Sequence, residues 1–389
     1  MAFSMVGMSY ASTDYNIGIN MSYKKSSKKY VLTVCALIIL CCFSACFPDG
    51  SKPINPIADT NDISELNVSS NKNVTYDFVI PTTPKTSYPY VFIKRKQLDH
   101  DTIIHALFND DIDIKEHSEY PSDWIPEKEL LNKYVLSDDS VLLYDIGSVN
   151  YFGNYGEQHN YSTYESLYAI RFNEKIMRRS FPYKELSGFS SESAVKKMRS
   201  IIDAFSLNAS SEPEIYAIDK QISNELGYSD TWDNESDAYL IVFSLKYDGL
   251  KLPDFDKSFP SAETDSNGIN TIWLGSRISG VFNRTGMENF QCRYIPEIIE
   301  EQGTAEICEP QKAIAAVKGR MESIALNNSS YKYCISGCEL MYLPYPKDDG
   351  YLLTPAWLFI EETQVPEGSG YASYYDDIFV NAVTGMIYE

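Results

Sequence analysis

The sequence predicts an α+β protein: tandem units, each a small antiparallel sheet covered by one helix, set behind a signal peptide and a flexible tether. Three observations predict it. A basic stretch, an apolar run and small residues stand in that order near the N-terminus. A segment rich in Pro, Ser, Asn and Asp follows. The second half of the chain then repeats itself in three blocks.

The N-terminal order is KKSSKK (24–29), then YVLTVCALIILCCF, then SAC. This is the layout of a secretory signal. The apolar run is shorter than the ~20 residues that a spanning helix needs. FPDGSKPINP follows it with a turn and prolines. A cleaved segment is therefore preferred over an uncleaved anchor or a buried strand. Residues 1–20 carry no basic charge, and Met21 opens a conventional basic region, so translation is expected to start at Met21. The ending FSAC resembles a bacterial lipobox, with Phe43 where that pattern usually has Leu. The resemblance implies cleavage after Ala45 and a lipid on Cys46, which places the protein on the extracellular face of the cell membrane with its anchor in the cytoplasmic membrane.

After the signal peptide (1–45), residues 46–76 hold the lipidated Cys and a tether whose composition supports no packed core. A first mixed unit is expected over 77–160. HDTIIHALF places Ile103, Ile104 and Leu107 on one face of a short helix. PSDWIPEKELLNKYVL has Asp123 near a cap position and Pro126 in a first turn, which predicts another helix. SVLLYDIGSVNYFGN and STYESLYAIRFNE read as strands.

The repeat divides the remainder into 161–289 and 290–389. SESAVKKMRSIIDAFSLNASS (191–211) aligns without gaps with PQKAIAAVKGRMESIALNNSS (310–330). Val195, Met198, Ile202 and Phe205 match Ile314, Val317, Met321 and Ile324, one apolar helix face in each. Asn208 and Asn327 are placed to stop the two helices. DAYLIVFSLKY then aligns with GYLLTPAWLFIEE, and VFNRTGM with VNAVTGM. Each copy reads as a helix and three strands, with Gly286 and Gly385 at positive φ in tight turns. Residues 213–237 are ambiguous between strand and helix.

Charge excludes one class of function. The net charge is −21, and residues 1–45 contribute four Lys against one Asp, so the rest is more acidic still. A nucleic-acid binder needs a basic footprint, and there is none. Anionic lipid repels such a surface, which leaves membrane attachment to the anchor.

Catalytic motifs are missing. The four histidines are His100, His105, His117 and His159, without zinc-ligand spacing. GxSxG, Walker and GxGxxG patterns do not occur. No cofactor and no metal are expected. The runs NDDIDIKEH, DTWDNESD and DFDKSF lack EF-hand spacing and read as solvated loops. Cys35, Cys41 and Cys42 leave with the signal. Cys292, Cys308, Cys334 and Cys338 remain in the last hundred residues, open to disulfides, free thiols or one metal. Tyr371, Tyr374 and Tyr375, in a Gly/Ser-rich stretch, are the candidate interaction surface.

At YLLTPAWLFIEE and DDIFVNAVTGMIYE the chain resembles the PepSY-like modules of Gram-positive secreted and membrane-tethered proteins. Pro355, Trp357, Val380, Asn381, Ala382, Thr384, Gly385 and Ile387 carry the resemblance. Tandem copies behind an anchor are similar to the YycH/YycI-type regulators of a cell-wall sensor kinase and to uncharacterised lipoproteins of Firmicutes. The resemblance implies a non-catalytic extracytoplasmic module that binds or regulates another envelope protein. A peptide- or glycan-binding lipoprotein is the alternative, and a carboxylate-dependent hydrolase ranks third.

Overall fold

Short apolar runs with period-two alternation become strands here, and turn chemistry decides where they reverse. The computed structural model describes residues 71–83, 85–121, 130–154, 185–220, 237–259, 271–366 and 374–388. Residues 1–70, including Cys46, and Tyr371 lie outside them, as do 155–184 with the predicted strand YAIRFNE.

Two eight-stranded sheets hold most of this chain. The C-terminal sheet contains β1 (Val74–Tyr76), β2 (Ser87–Arg95), β9 (Lys246–Tyr247), β10 (Leu250–Lys251), β15 (Pro296–Glu306), β16 (Lys332–Lys347), β17 (Gly350–Gln364) and β18 (Tyr374–Asn381). Its main path is β15-β2-β17-β16-β10-β9, with β1 on β16 and β18 on β17. The central sheet contains β3 (Ile114–Pro121), β4 (Leu130–Leu136), β5 (Val141–Asp145), β6 (Ser148–Phe152), β7 (Glu214–Ile218), β8 (Ala238–Ser244), β13 (Arg277–Phe282) and β14 (Met287–Arg293). Its order is β3-β4-β5-β6-β14-β13-β8-β7, antiparallel throughout. A separate hairpin joins β11 (Asp256–Phe259) to β12 (Thr271–Leu274).

Three helices stand among the described residues: α1 (His100–Phe108), α2 (Ser191–Ala204) and α3 (Pro310–Asn327). α1 buries Ile103, Ile104, Ala106 and Leu107, the face the spacing predicts. α2 lies on β8 and β13, and α3 on β1, β16 and β18. None is long and apolar enough to cross a membrane. The buried helix faces include Met198 and Ile202 of α2 and Ile314, Val317 and Met321 of α3. α2 stops before Asn208: its last turn closes at Phe205 and Ser206, which has φ 54°.

The expected small helix-covered α+β units are not what the chain forms. The fold is mostly β, built on two large sheets. A helix does precede three strands that are antiparallel neighbours in the sheet in each half, α2-β7-β8-β13 and α3-β16-β17-β18, with β9 to β12 inserted before β13. Strands from the N-terminal part then extend both runs. β1 and β2 join the C-terminal sheet, while β3 to β6 join the central one. The sequence offers no signal for this assignment, because which sheet edge a strand joins depends on long-range pairing. The predicted helix beyond Asp123 is likewise corrected. Its start lies outside the described residues, and Leu130–Leu136 is a strand whose Tyr134 and Leu136 point inward at period two.

The Thr-Gly turns form as predicted. Gly286 has φ 141° and Gly385 φ 71°. In the first turn Asn283 Oδ1 accepts from the N–H groups of Thr285 and Gly286. In the second, Asn381 Oδ1 accepts from Val383 and Thr384. An Asx side chain here replaces a backbone acceptor and fixes the turn.

Aromatic side chains join the two sheets. Trp273, on β12, is buried and donates from Nε1 to the carbonyl of Pro253 at 2.9 Å. Its ring meets Tyr294, between β14 and β15, and Tyr351 of β17 at centroid distances of 4.1 and 5.1 Å. The Arg95 guanidinium of β2 lies 5.7 Å from the centroid of the Tyr294 ring.

Candidate functional site

The edge of the C-terminal sheet is formed by β15, eleven residues reading PEIIEEQGTAE. Its inner edge pairs with β2 from Pro296↔Arg95 to Glu306↔Ser87. Among the described residues, no strand pairs with its outer edge. Both faces are open: Ile298 and Ile299 are 41% and 46% exposed, and Ala305 alone is buried. Ile299 has no partner in the ladder with β2, so an added strand would meet two neighbouring apolar side chains where the pairing is irregular.

Two register shifts, at Ile298/Glu300 and Glu301/Thr304, interrupt the ladder with β2. Glu297, Glu300, Glu301 and Glu306 make the strand acidic. Bulges and like charges are how natural sheets keep an exposed edge from pairing with its own copies. Here they would place carboxylates near carboxylates in any β15–β15 pair. A basic segment meets no such repulsion. Part of the charge is already engaged: the Tyr247 hydroxyl donates to Glu301, which with burial pushes that phenol up to about 12.

The tyrosine surface expected from the sequence is partly described. Tyr374 opens β18 and is 46% exposed, and Tyr375 is half-buried beside it. Their strand pairs with β17 through Thr363↔Tyr374 and Glu362↔Tyr375. They do not share an element with β15.

The cysteines do not come together. All four are free. Cys292 is buried in β14 of the central sheet, whereas Cys308 precedes α3, and Cys334 and Cys338 belong to β16 of the other sheet. Of the three states the sequence leaves open, the structure has the four as unbridged thiols. Cys334 and Cys338 pair with Glu362 and Phe359 on the neighbouring strand, with a register shift between them, and a continuous strand keeps thiols at that spacing apart. Burial pushes the Cys338 thiol up to about 12 and that of Cys292 further.

Of the described histidines, two stack on an aromatic ring and the third, His105, is exposed beside a carboxylate. His117 and His100 stack on Tyr134 at centroid distances of 4.1 and 4.9 Å, and His105 Nδ1 lies 2.8 Å from Asp110. Among the described residues no group of His, Cys, Asp and Glu is arranged to hold a metal ion.

Sequence reading missed β15 as a site. EIIEEQ scans as an acidic run, and only pairing to β2 turns it into an edge.

No family model and no curated protein matches this chain. Among solved structures it is similar to an uncharacterised protein from Eubacterium rectale ATCC 33656, with a TM-score of 0.62 at 13% identity. The match covers 84% of this chain and 97% of the other. At that identity the likeness concerns the fold, and it spans both sheets rather than one half.

Proposed function

We propose that this chain is a membrane-anchored extracytoplasmic lipoprotein that binds or regulates another cell-envelope protein without catalysing a reaction, and that the partner adds an extended, basic segment to the outer edge of β15. The single observation that carries the binding mode is the acidic edge of an eleven-residue strand, open on both faces and unpaired among the described residues. Strand addition supplies affinity from backbone hydrogen bonds, and specificity from alternate side chains. The four glutamates supply the charge selection.

The anchor rests on the sequence. The N-terminal layout and the FSAC ending support lipidation of Cys46, and two acyl chains hold a protein stably at about 0.8 kcal/mol per buried methylene. The likeness of the C-terminal strand motif to PepSY-like modules supports a protein-contacting role.

The test places a photo-crosslinking amino acid at Ile299 of the full chain in cells. The expected result is one adduct to an envelope protein, mapping to a basic extended segment, and its loss when Glu300 and Glu301 are both changed to Lys. Adducts unchanged by that charge reversal, or none at all, would overturn the binding mode.

A further inference from the structure

A cavity of about 500 Å³ lies between the end of α1, the start of α2 and the β13–β14 turn. That volume falls within the range typical of small-ligand sites. Phe108, Phe189, Phe282 and Tyr151 give it aromatic walls, and Lys197 and Arg284 are its charged lining residues. The whole chain carries 54 Asp and Glu against 33 Lys and Arg, yet among the described residues no carboxylate lines this cavity.

Among the described residues neither cation has an ion-pair partner. The Lys197 ammonium donates to the Ala106 carbonyl at 3.0 Å. The Arg284 guanidinium donates to the Ser187 carbonyl. An ammonium has three donors and a guanidinium five, so most remain uncommitted to protein acceptors. Partial burial without a compensating carboxylate holds the Lys197 ammonium below the usual lysine range. Arg284 is held in place by Gly188, at φ +100°, where a Cβ would come within 2.9 Å of Cζ. Recognition does not rest on the start of α2, because Ser190 already accepts from Glu192 N–H at 3.1 Å and caps that end.

We propose that this cavity binds a carboxylate carried on an apolar group, with the carboxylate held by Lys197 and Arg284 and the apolar part against the aromatic walls. The site is separate from the β15 edge and stands or falls apart from it. A carboxylate has two oxygens, which an ammonium and a guanidinium fork satisfy in charge-assisted hydrogen bonds. The ligand is a free apolar acid or the C-terminal end of a peptide, and the probes below separate the two.

The experiment titrates the purified full chain in detergent with phenylacetate, N-acetylphenylalanine, the primary amide of each, and inorganic phosphate, read by calorimetry. Saturable binding of at least one acid is expected, with its amide weaker by tenfold or more. Arg284→Gln and Lys197→Met should each weaken the acid by tenfold or more while far-UV circular dichroism stays unchanged. Should either variant misfold, Ser193→Glu provides the second test, because a carboxylate at the cavity wall should abolish acid binding. Preference for N-acetylphenylalanine over phenylacetate would identify the peptide end as the source. Equal binding of acid and amide would overturn the proposal. So would phosphate binding without either acid, variants that bind normally, or no saturation by about 10 mM, the threshold for even weak recognition.

Discussion

Glu361 shows how a single buried carboxyl sets a pH dependence. It lies on β17, buried, opposite Asp376 of β18, and accepts from Thr363 Oγ1 at 2.7 Å. Burial raises its pKa above the ordinary glutamate value, Asp376 adds to the rise, and Thr363 and Arg320 oppose it. Below the ordinary carboxylate range the group is protonated in both folded and unfolded states, and the fold bears no charge cost. As pH rises through the raised folded pKa, the ionised group must be kept buried, and that stability is lost. Glu361→Gln retains an acceptor for Thr363 and carries no charge. The variant should melt about 1–2 °C higher than the native protein at pH 8, with the gap closing near pH 4. Thermal melts of both proteins at the two pH values check this, and a gap independent of pH would refute it. Nothing in the local sequence EETQ marks Glu361 as buried. Its neighbour Glu362 is half-exposed on the other face of the same strand, and only the register of β17 separates them.

At the scale of the element, legibility followed local chemistry. α1, α2 and α3 were legible because their apolar spacing and end signals are local, and both Thr-Gly turns because glycine alone tolerates those φ values cheaply. Strands adjoining Leu130 were not, because a predicted cap and proline lie outside the strand that follows. The helix starts differ in a way that can be measured. Asp99 caps α1, accepting from Thr102 N–H at 2.8 Å and from its hydroxyl at 2.7 Å. α3 begins at Pro310 with no side-chain cap from Glu309. Asp99→Ala should therefore cost about 1 kcal/mol, whereas Glu309→Ser should gain about 0.5–1 kcal/mol, since its extended backbone already suits a capping hydroxyl. Urea midpoints of the two variants, moving in opposite directions, are the expected result.

For the whole molecule, the repeat suggested that 290–389 forms a unit of its own, and the sheet pairing argues that it cannot stand alone. β15 takes its partner from β2, and β2 also covers β17 at Tyr351–Leu353. β1 and β10 occupy the free side of β16 at Tyr333–Ile335 and Met341. Trp273 closes the joint against Tyr351 from outside that stretch as well. Cutting the chain at residue 290 would strip these strands from a sheet whose buried residues include Tyr342, Leu353 and Trp357. It would also leave β15 without its partner. Exposed edges and uncovered apolar faces favour association over folding. The 290–389 fragment should give no cooperative thermal transition and should self-associate, while 71–389 melts in a single step. Calorimetry and light scattering on the two proteins decide it: a fragment that melts cooperatively as a monomer would restore the independent repeat unit. The similarity to the Eubacterium rectale protein over 97% of that chain favours the first outcome, because the shared fold extends across both sheets.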